Sequence, residues 1–265
     1  MSDHVTCRRE GAVAHVRLNR PEKLNSLTLS LLEGLVATAQ SLMQDRDLRG
    51  VLIAGEGRSF SAGLDILSVL GEGERFMTLF APDEARGTNL YQEACWAWRR
   101  LPVPVVAAVH GHCFGGGLQL ALAADFRFTA PDAQWSILET KWGLVPDMSG
   151  VRALSEQVGL DVAKRLTMTG EVISGVRAVE LGLASEVAQD PYAAGLALLE
   201  QIATRSPDAV RAAKRLFDTT WFADERTTFA AERAEQAYLL TAENTRIAQQ
   251  AGMTGEPAAY RPRGN

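Results

Sequence analysis

The sequence predicts an α/β protein, because strand-like and helix-like segments alternate over roughly the first 190 residues and helices alone follow. Continuous apolar runs such as GVLIAG and VVAAV indicate buried strands, and apolar residues at helical spacing indicate the helices between them. We therefore divide the chain into an α/β core over residues 1–190 and an α-helical region over residues 191–265.

Composition limits the classes of protein to consider. The chain has 265 residues, of which 46% are hydrophobic and 22% are charged, so it can bury a sizeable core. A formal net charge of -5 argues against nucleic acid or an anionic membrane surface as a partner. No apolar run reaches the roughly 18 residues of a membrane helix, and the start lacks the apolar centre of a secretory signal. We expect a cytoplasmic protein whose three widely spaced cysteines are reduced.

The first half of the core begins with a strand that runs into the polar loop NRPEKLN. A helix over about 29–43 follows, and then the buried strand GVLIAG ends in a glycine turn. The stretch 63–86 contains glycines and a Pro-Asp pair, which predicts a mobile surface segment that acts as a lid or substrate wall.

In the second half, a helix over 89–100 leads through LPVP into the strand VVAAV, which runs directly into the glycines of HGHCFGGG. The segments LQLALAADF and SGVRALSEQVG are helical, and FRFTAP and QWSIL are strand-like. In the helical region, Ser206 and Pro207 begin one helix, and the Ala/Glu-rich stretch 224–250 forms another. We expect this region to pack on the core or on a neighbouring subunit.

Two glycine clusters are the clearest candidates for a ligand site. GEGRSFSAGLD (Gly55–Asp65) follows a buried strand, and GHCFGGGLQL (Gly111–Leu120) follows another and opens a helix. Glycine lets a ligand approach the backbone, and the first amides of a helix are unpaired donors. Neither cluster has the spacing of a phosphate or dinucleotide loop. The alternative is that the glycines only permit tight turns and close packing.

Five motifs occur in order over nearly the whole chain: NRPEKLN, GRSFSAGLD, PVVAAVHGHCFGGGLQLALAAD, ETKWGLVPDMSG and LTMTGEVISGVRAVELGLASEV. In these motifs the chain resembles the crotonases, or enoyl-CoA hydratase/isomerase superfamily. The resemblance implies a spiral of two-strand-plus-helix units, a C-terminal trimerisation region, and an oxyanion hole formed by the backbone amides of Ala62 and Gly116. Two such donors would stabilise the enolate of a thioester.

The resemblance also implies an acyl-CoA substrate and a homo-oligomer, either a trimer or a dimer of trimers. Because coenzyme A arrives with the substrate, no tightly bound cofactor is expected. Lys23 and Arg58 are expected to meet its phosphates, unless they are ordinary surface charges. Tyr260 and Arg261 are weaker candidates for contacts with the coenzyme of an adjacent subunit. Further backbone or adenine contacts are expected from Glu22, Leu24, Ser61, Gly63, Leu64 and Asp65, although Asp65 is equally suited to a turn or a helix cap.

The acid and base groups decide the reaction. Hydratases of the family use two glutamates; Gln119 replaces the first here, and Glu139 stands at the second. Gln119 can orient water but cannot accept its proton. Asp147 falls where several isomerases of the family carry a catalytic aspartate. The alternatives are a salt bridge from Glu139 to Lys141, and Asp147 as the N-cap of the next helix.

We therefore predict a double-bond isomerase of an unsaturated acyl-CoA, in which Glu139 removes a proton and Asp147 donates or assists. Enoyl-CoA hydratase is the alternative. We also predict that Gln119→Glu adds or raises hydration. A non-catalytic acyl-CoA-binding paralogue follows if Glu139 points away from the hole. His110, His112 and Cys113 lack further ligands, so we predict no metal site.

Overall fold

The computed structural model describes residues 4–264, in which nine strands form two sheets. The larger sheet has the order β1-β2-β3-β4-β6-β9, and the smaller has the order β5-β7-β8. In the larger sheet only the β1–β2 pair is antiparallel. The strands are β1 Val5–Glu10, β2 Val13–Leu18, β3 Gly50–Gly55, β4 Val105–Val109, β5 His112–Phe114, β6 Phe126–Thr129, β7 Gln134–Ser136, β8 Ile173–Ser174 and β9 Glu186–Val187.

Helices connect the strands and form the C-terminal region. The helices of the core are α1 Leu29–Gln44, α2 Ile66–Gly71, α3 Glu74–Thr78, α4 Leu90–Arg99, α5 Gly116–Leu122, α6 Gly150–Gln157, α7 Leu160–Thr169 and α8 Gly175–Glu180. The later helices are α9 Pro191–Ala203, α10 Pro207–Thr220, α11 Glu225–Thr241 and α12 Glu243–Thr254. Among the described residues, no helix has both the length and the apolar character needed to cross a membrane.

The larger sheet is covered on both faces, which explains why its parallel strands are continuously apolar. On one face its side chains join the main core with α1 and α4. On the other face α9 packs through Leu199 against Leu52, Val106 and Phe128. The first helix of the C-terminal region is thus bound to the core, as expected. The boundary near residue 190 stays a prediction, and the outer ends of the two predicted ranges, residues 1–3 and 265, lie outside the described residues.

The predicted strands and helices are confirmed, with one difference in the core and one in the C-terminal region. The segment 63–86 contains two short helices, α2 and α3. The Ala/Glu-rich stretch is divided between α11 and α12 at Ala242, whose backbone is extended. A long-range contact accompanies this break, because the buried Asn244 side chain donates to Asp208 Oδ2 at 2.9 Å. Sequence periodicity does not detect a break of this kind.

Candidate active site

The two glycine clusters meet side by side. Ser61 N–H donates to the His112 carbonyl at 2.8 Å, and Phe114 N–H donates to the Ser61 carbonyl at 3.0 Å. A Cβ atom on Gly63 would lie 2.7 Å from the Phe114 carbonyl oxygen and 3.5 Å from Gly116 N. Gly63 also has a φ of 89°, in the left-handed region. Glycine at this position is what allows the clusters to touch.

The amide of Ala62 is already used within the protein. Its N–H donates to the Leu24 carbonyl at 2.9 Å. This bond closes the NRPEKLN loop onto the first glycine cluster, with Leu24 itself in the left-handed region at a φ of 52°. The prediction that the Ala62 amide faces an oxyanion is therefore contradicted by the hydrogen bonding.

Leu64, two residues further on, carries a free backbone donor where this cluster meets the second one. Leu27 forms a parallel bridge with Leu64, in which Leu27 N–H donates to the Gly63 carbonyl at 2.8 Å and the Leu27 carbonyl accepts from Asp65 N–H at 2.9 Å. Leu64 lies between Gly63 and Asp65, which both bond to Leu27, so the N–H of Leu64 points away from Leu27. Within residues 4–264, Leu64 N–H has no acceptor.

Gly116 supplies a second amide, as predicted from its place at the start of α5. Its N–H also has no acceptor in the part of the chain that the structure describes, as expected for the first turn of a helix. A Cβ atom on Gly116 would lie 2.7 Å from Met148 Sδ. Only glycine therefore brings the backbone so close to the opposite wall.

A cavity of about 70 Å³ opens beside these amides. Both glycine clusters and three polar side chains border it, and the rest of its wall is apolar. Its size admits a few non-hydrogen atoms, which suits the reacting end of a ligand rather than a whole coenzyme. The lining residues are Ala62, Gly63, Leu64, Ile66, Gly115, Gly116, Gln119, Leu138, Glu139, Trp142, Leu144, Val145, Asp147 and Met148.

Glu139 is a carboxylate with one bound and one free oxygen. Oε1 accepts from Gln119 Nε2 at 2.6 Å, whereas Oε2 is buried and has no hydrogen-bond partner among the described residues. Burial, and to a smaller extent the negative charge of Asp147, raise the pKa of Glu139, and hydrogen bonds from its own amide and from Gln119 oppose that rise. Lys141 forms no ion pair with it in the described range, so the salt-bridge alternative finds no support.

Asp147 lies in the turn before α6 and borders the same cavity. Although part of its side chain is open to solvent, the surrounding protein raises its pKa by desolvation. Its charge acts on Tyr91 in α4, where burial and then the Asp147 charge raise the pKa of Tyr91 to about 12. The N-cap of α6 is Ser149, without a side-chain cap. The alternative interpretation of Asp147 as the helix cap is therefore wrong.

Gln119 joins these two carboxylate-bearing segments. It is 1% exposed, and its side chain contacts Glu139 as well as the backbone of the turn that carries Asp147. The sequence left open whether Gln119 orients water. In the structure its carbonyl oxygen is occupied by backbone donors.

The cations expected to meet the coenzyme lie on two loops that touch. Lys23 and Arg58 are both exposed, and neither forms an ion pair with another residue of the 4–264 range. A Cβ atom on Gly57 would lie 2.8 Å from Pro21 Cβ, which shows how closely the two loops pack. Two cations outside any ion pair of the described residues are thus available on neighbouring loops.

Other residues predicted to contact the coenzyme serve the fold. Ser61 is completely buried, and its Oγ donates to the Asn25 carbonyl at 2.8 Å, so the prediction of a ligand contact is wrong. Asp65 accepts from Ser68 N–H at 3.2 Å as the cap of α2 and from Arg20 Nη1 at 2.7 Å, which confirms the helix-cap alternative. Arg20 was not among the predicted site residues.

The remaining candidates have contacts elsewhere. Glu22 is exposed, with Oε1 3.9 Å from Arg20 Nε. His112 Nδ1 pairs with Ser59 Oγ at 2.8 Å, and no group of three or more potential metal ligands occurs in the described residues. Arg261 Nε lies 3.3 Å from Glu243 Oε1, and a role for Arg261 and Tyr260 at a coenzyme stays a prediction.

Comparison with known proteins agrees with this geometry. A family model described as enoyl-CoA hydratase/isomerase matches residues 8–256. The chain therefore belongs to the enoyl-CoA hydratase/isomerase family, and its mixed sheet with C-terminal helices is the crotonase fold. The crystal structure of an enoyl-CoA hydratase from Bacillus anthracis superposes with a TM-score of 0.90 at 27% identity, covering 98% of this chain and 100% of that chain.

The curated relatives carry different activities in their names. The mitochondrial Delta(3,5)-Delta(2,4)-dienoyl-CoA isomerase of Mus musculus is 34% identical over 213 residues, which cover 76% of this chain and 64% of the mouse protein. The match thus spans slightly less than two thirds of that relative. A probable enoyl-CoA hydratase of Bacillus subtilis is 35% identical over 75% of each chain.

Proposed function

We propose that this protein isomerises a carbon–carbon double bond of an unsaturated acyl-CoA, with Glu139 as the base. The observation that carries this proposal is the Oε2 atom of Glu139, which is buried beside the cavity that the free amides border and has no hydrogen-bond partner among the residues that the structure describes. Burial and the Asp147 charge raise the pKa of this carboxylate. A base whose pKa lies closer to neutral removes a carbon-bound proton more effectively.

In the proposed reaction, Glu139 Oε2 takes a proton from the saturated carbon that lies between the thioester carbonyl and the double bond of the substrate. The electron pair of the broken C–H bond moves into the conjugated system and places negative charge on the thioester oxygen. The amides of Leu64 and Gly116 donate hydrogen bonds to that oxygen, and each such donor is typically worth about 3 to 4 kcal/mol. A proton returns from Glu139 or Asp147 to another carbon of the acyl chain. The double bond shifts, and no atom is gained or lost.

Hydration is the second candidate, and the names of several relatives favour it. It requires a group that takes a proton from water, and the hydratases of the family use a glutamate where this chain has Gln119. A glutamine amide cannot accept that proton. A non-catalytic acyl-CoA-binding protein is the third candidate. This third candidate is disfavoured because the Glu139 carboxylate lines the same cavity as the free amides. It lies close to the second glycine cluster, since a Cβ atom on Gly115 would be 3.3 Å from Glu139 Oε1.

Two features support the proposed ligand and assembly. Lys23 and Arg58 can meet the phosphates of coenzyme A, because neither is engaged in an ion pair with a carboxylate of the described residues. The C-terminal helices and the loop after α10 expose Phe217, Trp221, Phe222 and Phe229, each more than 50% accessible in the single chain. Such aromatic surface is typical of subunit contacts. We therefore propose a homo-oligomer, and light scattering should give the mass of a trimer or a dimer of trimers.

One assay separates the three candidate functions. The protein is supplied with a 2-enoyl-CoA, a 3-enoyl-CoA and a 3,5-dienoyl-CoA, and conjugation is followed by ultraviolet absorbance together with product mass. An isomer of unchanged mass supports the proposal. A product heavier by the mass of one water molecule identifies a hydratase. Binding of coenzyme A derivatives with no turnover of any acyl-CoA identifies a binding protein.

A further inference from the structure

The Gln119 side chain makes three hydrogen bonds at the centre of the site. Its Oε1 accepts from Met148 N–H at 2.8 Å and from Gly150 N–H at 2.9 Å, and its Nε2 donates to Glu139 Oε1 at 2.6 Å. Backbone amides can only donate, so the oxygen of Gln119 must face the turn and the nitrogen must face Glu139. The orientation of this amide is therefore fixed by its partners.

The turn before α6 is built around the Gln119 oxygen. Ser149, between the two donating amides, has a φ of 70°, which is uncommon for a residue with a Cβ atom. A Cβ atom on Gly150 would lie only 2.5 Å from Gln119 Oε1. The left-handed residue and the glycine together bring two amides onto one oxygen. Asp147 directly precedes this pair of amides, so its position depends on the same contacts.

We propose that Gln119 is a positioning residue, which holds Glu139 by one oxygen and the Asp147 turn by two amides. This inference rests on the proposed function and explains its specificity. Because Gln119 occupies Oε1, only Oε2 of Glu139 is left to act as a base toward a ligand. Because the Gln119 oxygen already has two donors, it offers little to a water molecule. Position 119 thus directs the site toward proton transfer between carbons.

The pKa of Glu139 depends on few neighbouring groups, so a change in the Gln119 contact should be measurable as a change in that pKa. Asp147 faces it from the turn, and Tyr91 and Cys95 lie on α4, where the Asp147 charge helps to raise the pKa of each. Within the described range, no cation lies in ion-pair distance of either carboxylate. The Gln119 amide is thus the main side-chain group that lowers the pKa of Glu139.

Gln119→Glu separates the two contacts of this side chain. The new carboxylate keeps an oxygen for Met148 and Gly150, but its second oxygen would lie against Glu139 Oε1, where two carboxylates must share a proton. We expect a folded enzyme with KM changed less than about threefold. The low-pH side, or acid limb, of its kcat/KM profile should move up by about one pH unit or more. Contrary to the expectation from the sequence, no hydrated product should form, because the oxygen that would bind water is held by the two backbone amides. Gln157→Glu, at the opposite end of α6, is the matched control and should leave that limb unchanged.

An acid limb at the wild-type position in Gln119→Glu, or formation of a hydrated product, would overturn the proposal. Gln119→Met removes all three hydrogen bonds at similar volume and should lower both kcat and the melting temperature. If this variant does not fold, Gln119→Glu still provides the test. Carbon-13 NMR titration of the Glu139 carboxyl in wild type and Gln119→Glu gives a readout without turnover. An unchanged titration overturns the positioning role, whereas absence of isomerisation by the wild type overturns only the proposed function.

Discussion

Two glutamates in this protein, each half-buried with at least one buried carboxylate oxygen, have opposite surroundings. Glu139 has a neutral amide on one oxygen and, within residues 4–264, no hydrogen-bond partner on the other, and it lines a cavity of about 70 Å³. The side chain of Glu156, in α6, is 5% exposed and lies between two guanidinium groups. Arg99 Nη2 is 2.6 Å from its Oε2, and Arg152 Nη2 is 2.9 Å from its Oε1.

The presence or absence of a neighbouring cation distinguishes a structural carboxylate such as Glu156 from a candidate reactive one such as Glu139. Neither contact of Glu156 has the alignment of a hydrogen bond, but both place a positive charge against it, and Arg99 also reaches Asp218 Oδ1 at 2.9 Å. A cation compensates the lost hydration of such a carboxylate. Glu139 has no such compensation, and its pKa is raised by burial. An uncompensated buried acid is costly to the fold and is therefore a candidate for function.

Cavity size does not distinguish the candidate reactive carboxylate from the structural one. The cavity beside Glu156 measures about 490 Å³, several times the volume beside Glu139, and its wall includes Arg99, Glu156 and Asp218. Its charged groups contact one another, as Lys214 and Asp125 also do at 2.5 Å. The smaller cavity carries the free amides and the free carboxylate oxygen. Available donors and acceptors, rather than volume, indicate where chemistry can occur.

The largest expected effect is on turnover in Glu139→Gln. Loss of the base should lower kcat by about 10³-fold with KM little changed, because a general base typically contributes 10²- to 10⁴-fold. The melting temperature should stay the same or rise, since a buried charge is removed. Steady-state kinetics with the substrate found above and thermal unfolding measure both. If Glu139→Gln turned over substrate at the wild-type rate, Glu139 could not be the base, and the proposed contrast with Glu156 would be wrong.

Glu156→Gln should show the reverse pattern. Removing one partner of a buried ion pair leaves the guanidinium of Arg99 less compensated, so the free energy of unfolding should fall by about 3 kcal/mol. The fraction that stays folded should turn over substrate normally. Urea unfolding and kcat at low temperature test this. A large loss of kcat with intact stability would mean that the two glutamates do not differ as described.

Asp218 should make the ionic cluster sensitive to pH. Burial raises the pKa of Asp218 to about 6, against an unfolded value near 3.8. Between these values the folded chain binds the proton that the unfolded chain has lost, so the free energy of unfolding falls as pH rises from about 4 to about 6. The contribution is at most about 3 kcal/mol. Urea unfolding at several pH values should show this decline, and Asp218→Asn should remove it.

The smallest expected effect is that of Asp147→Asn on turnover. Because Glu139 can both remove and return a proton, loss of the second carboxyl should lower kcat roughly 10- to 100-fold. Removing the Asp147 charge should also lower the pKa of Glu139, so the acid limb of the kcat/KM profile should move to lower pH. An effect on kcat as large as that of Glu139→Gln would assign Asp147 an obligatory role.

Much of the fold and part of the site could be predicted from the sequence. The alternating apolar runs and the spacing of the motifs predicted the α/β core, and the glycine clusters predicted two neighbouring backbone sites. The acids Glu139 and Asp147 were found because their residue types and their places in the motifs were visible. The division between α11 and α12 was missed because it coincides with the contact of Asn244 with Asp208, a residue far away in the chain.

The sequence by itself determined the family, the two glycine clusters and the acids that border the cavity, because these depend on residue type and order. Only the tertiary structure decided that Leu64 rather than Ala62 carries the free amide, and that Gln119 binds the turn and Glu139. Whether an amide or a side-chain oxygen is free depends on which distant backbone lies opposite. Here Leu24 and Leu27 pair with the first cluster, and Met148 and Gly150 close on Gln119. Those pairings form only when the chain folds.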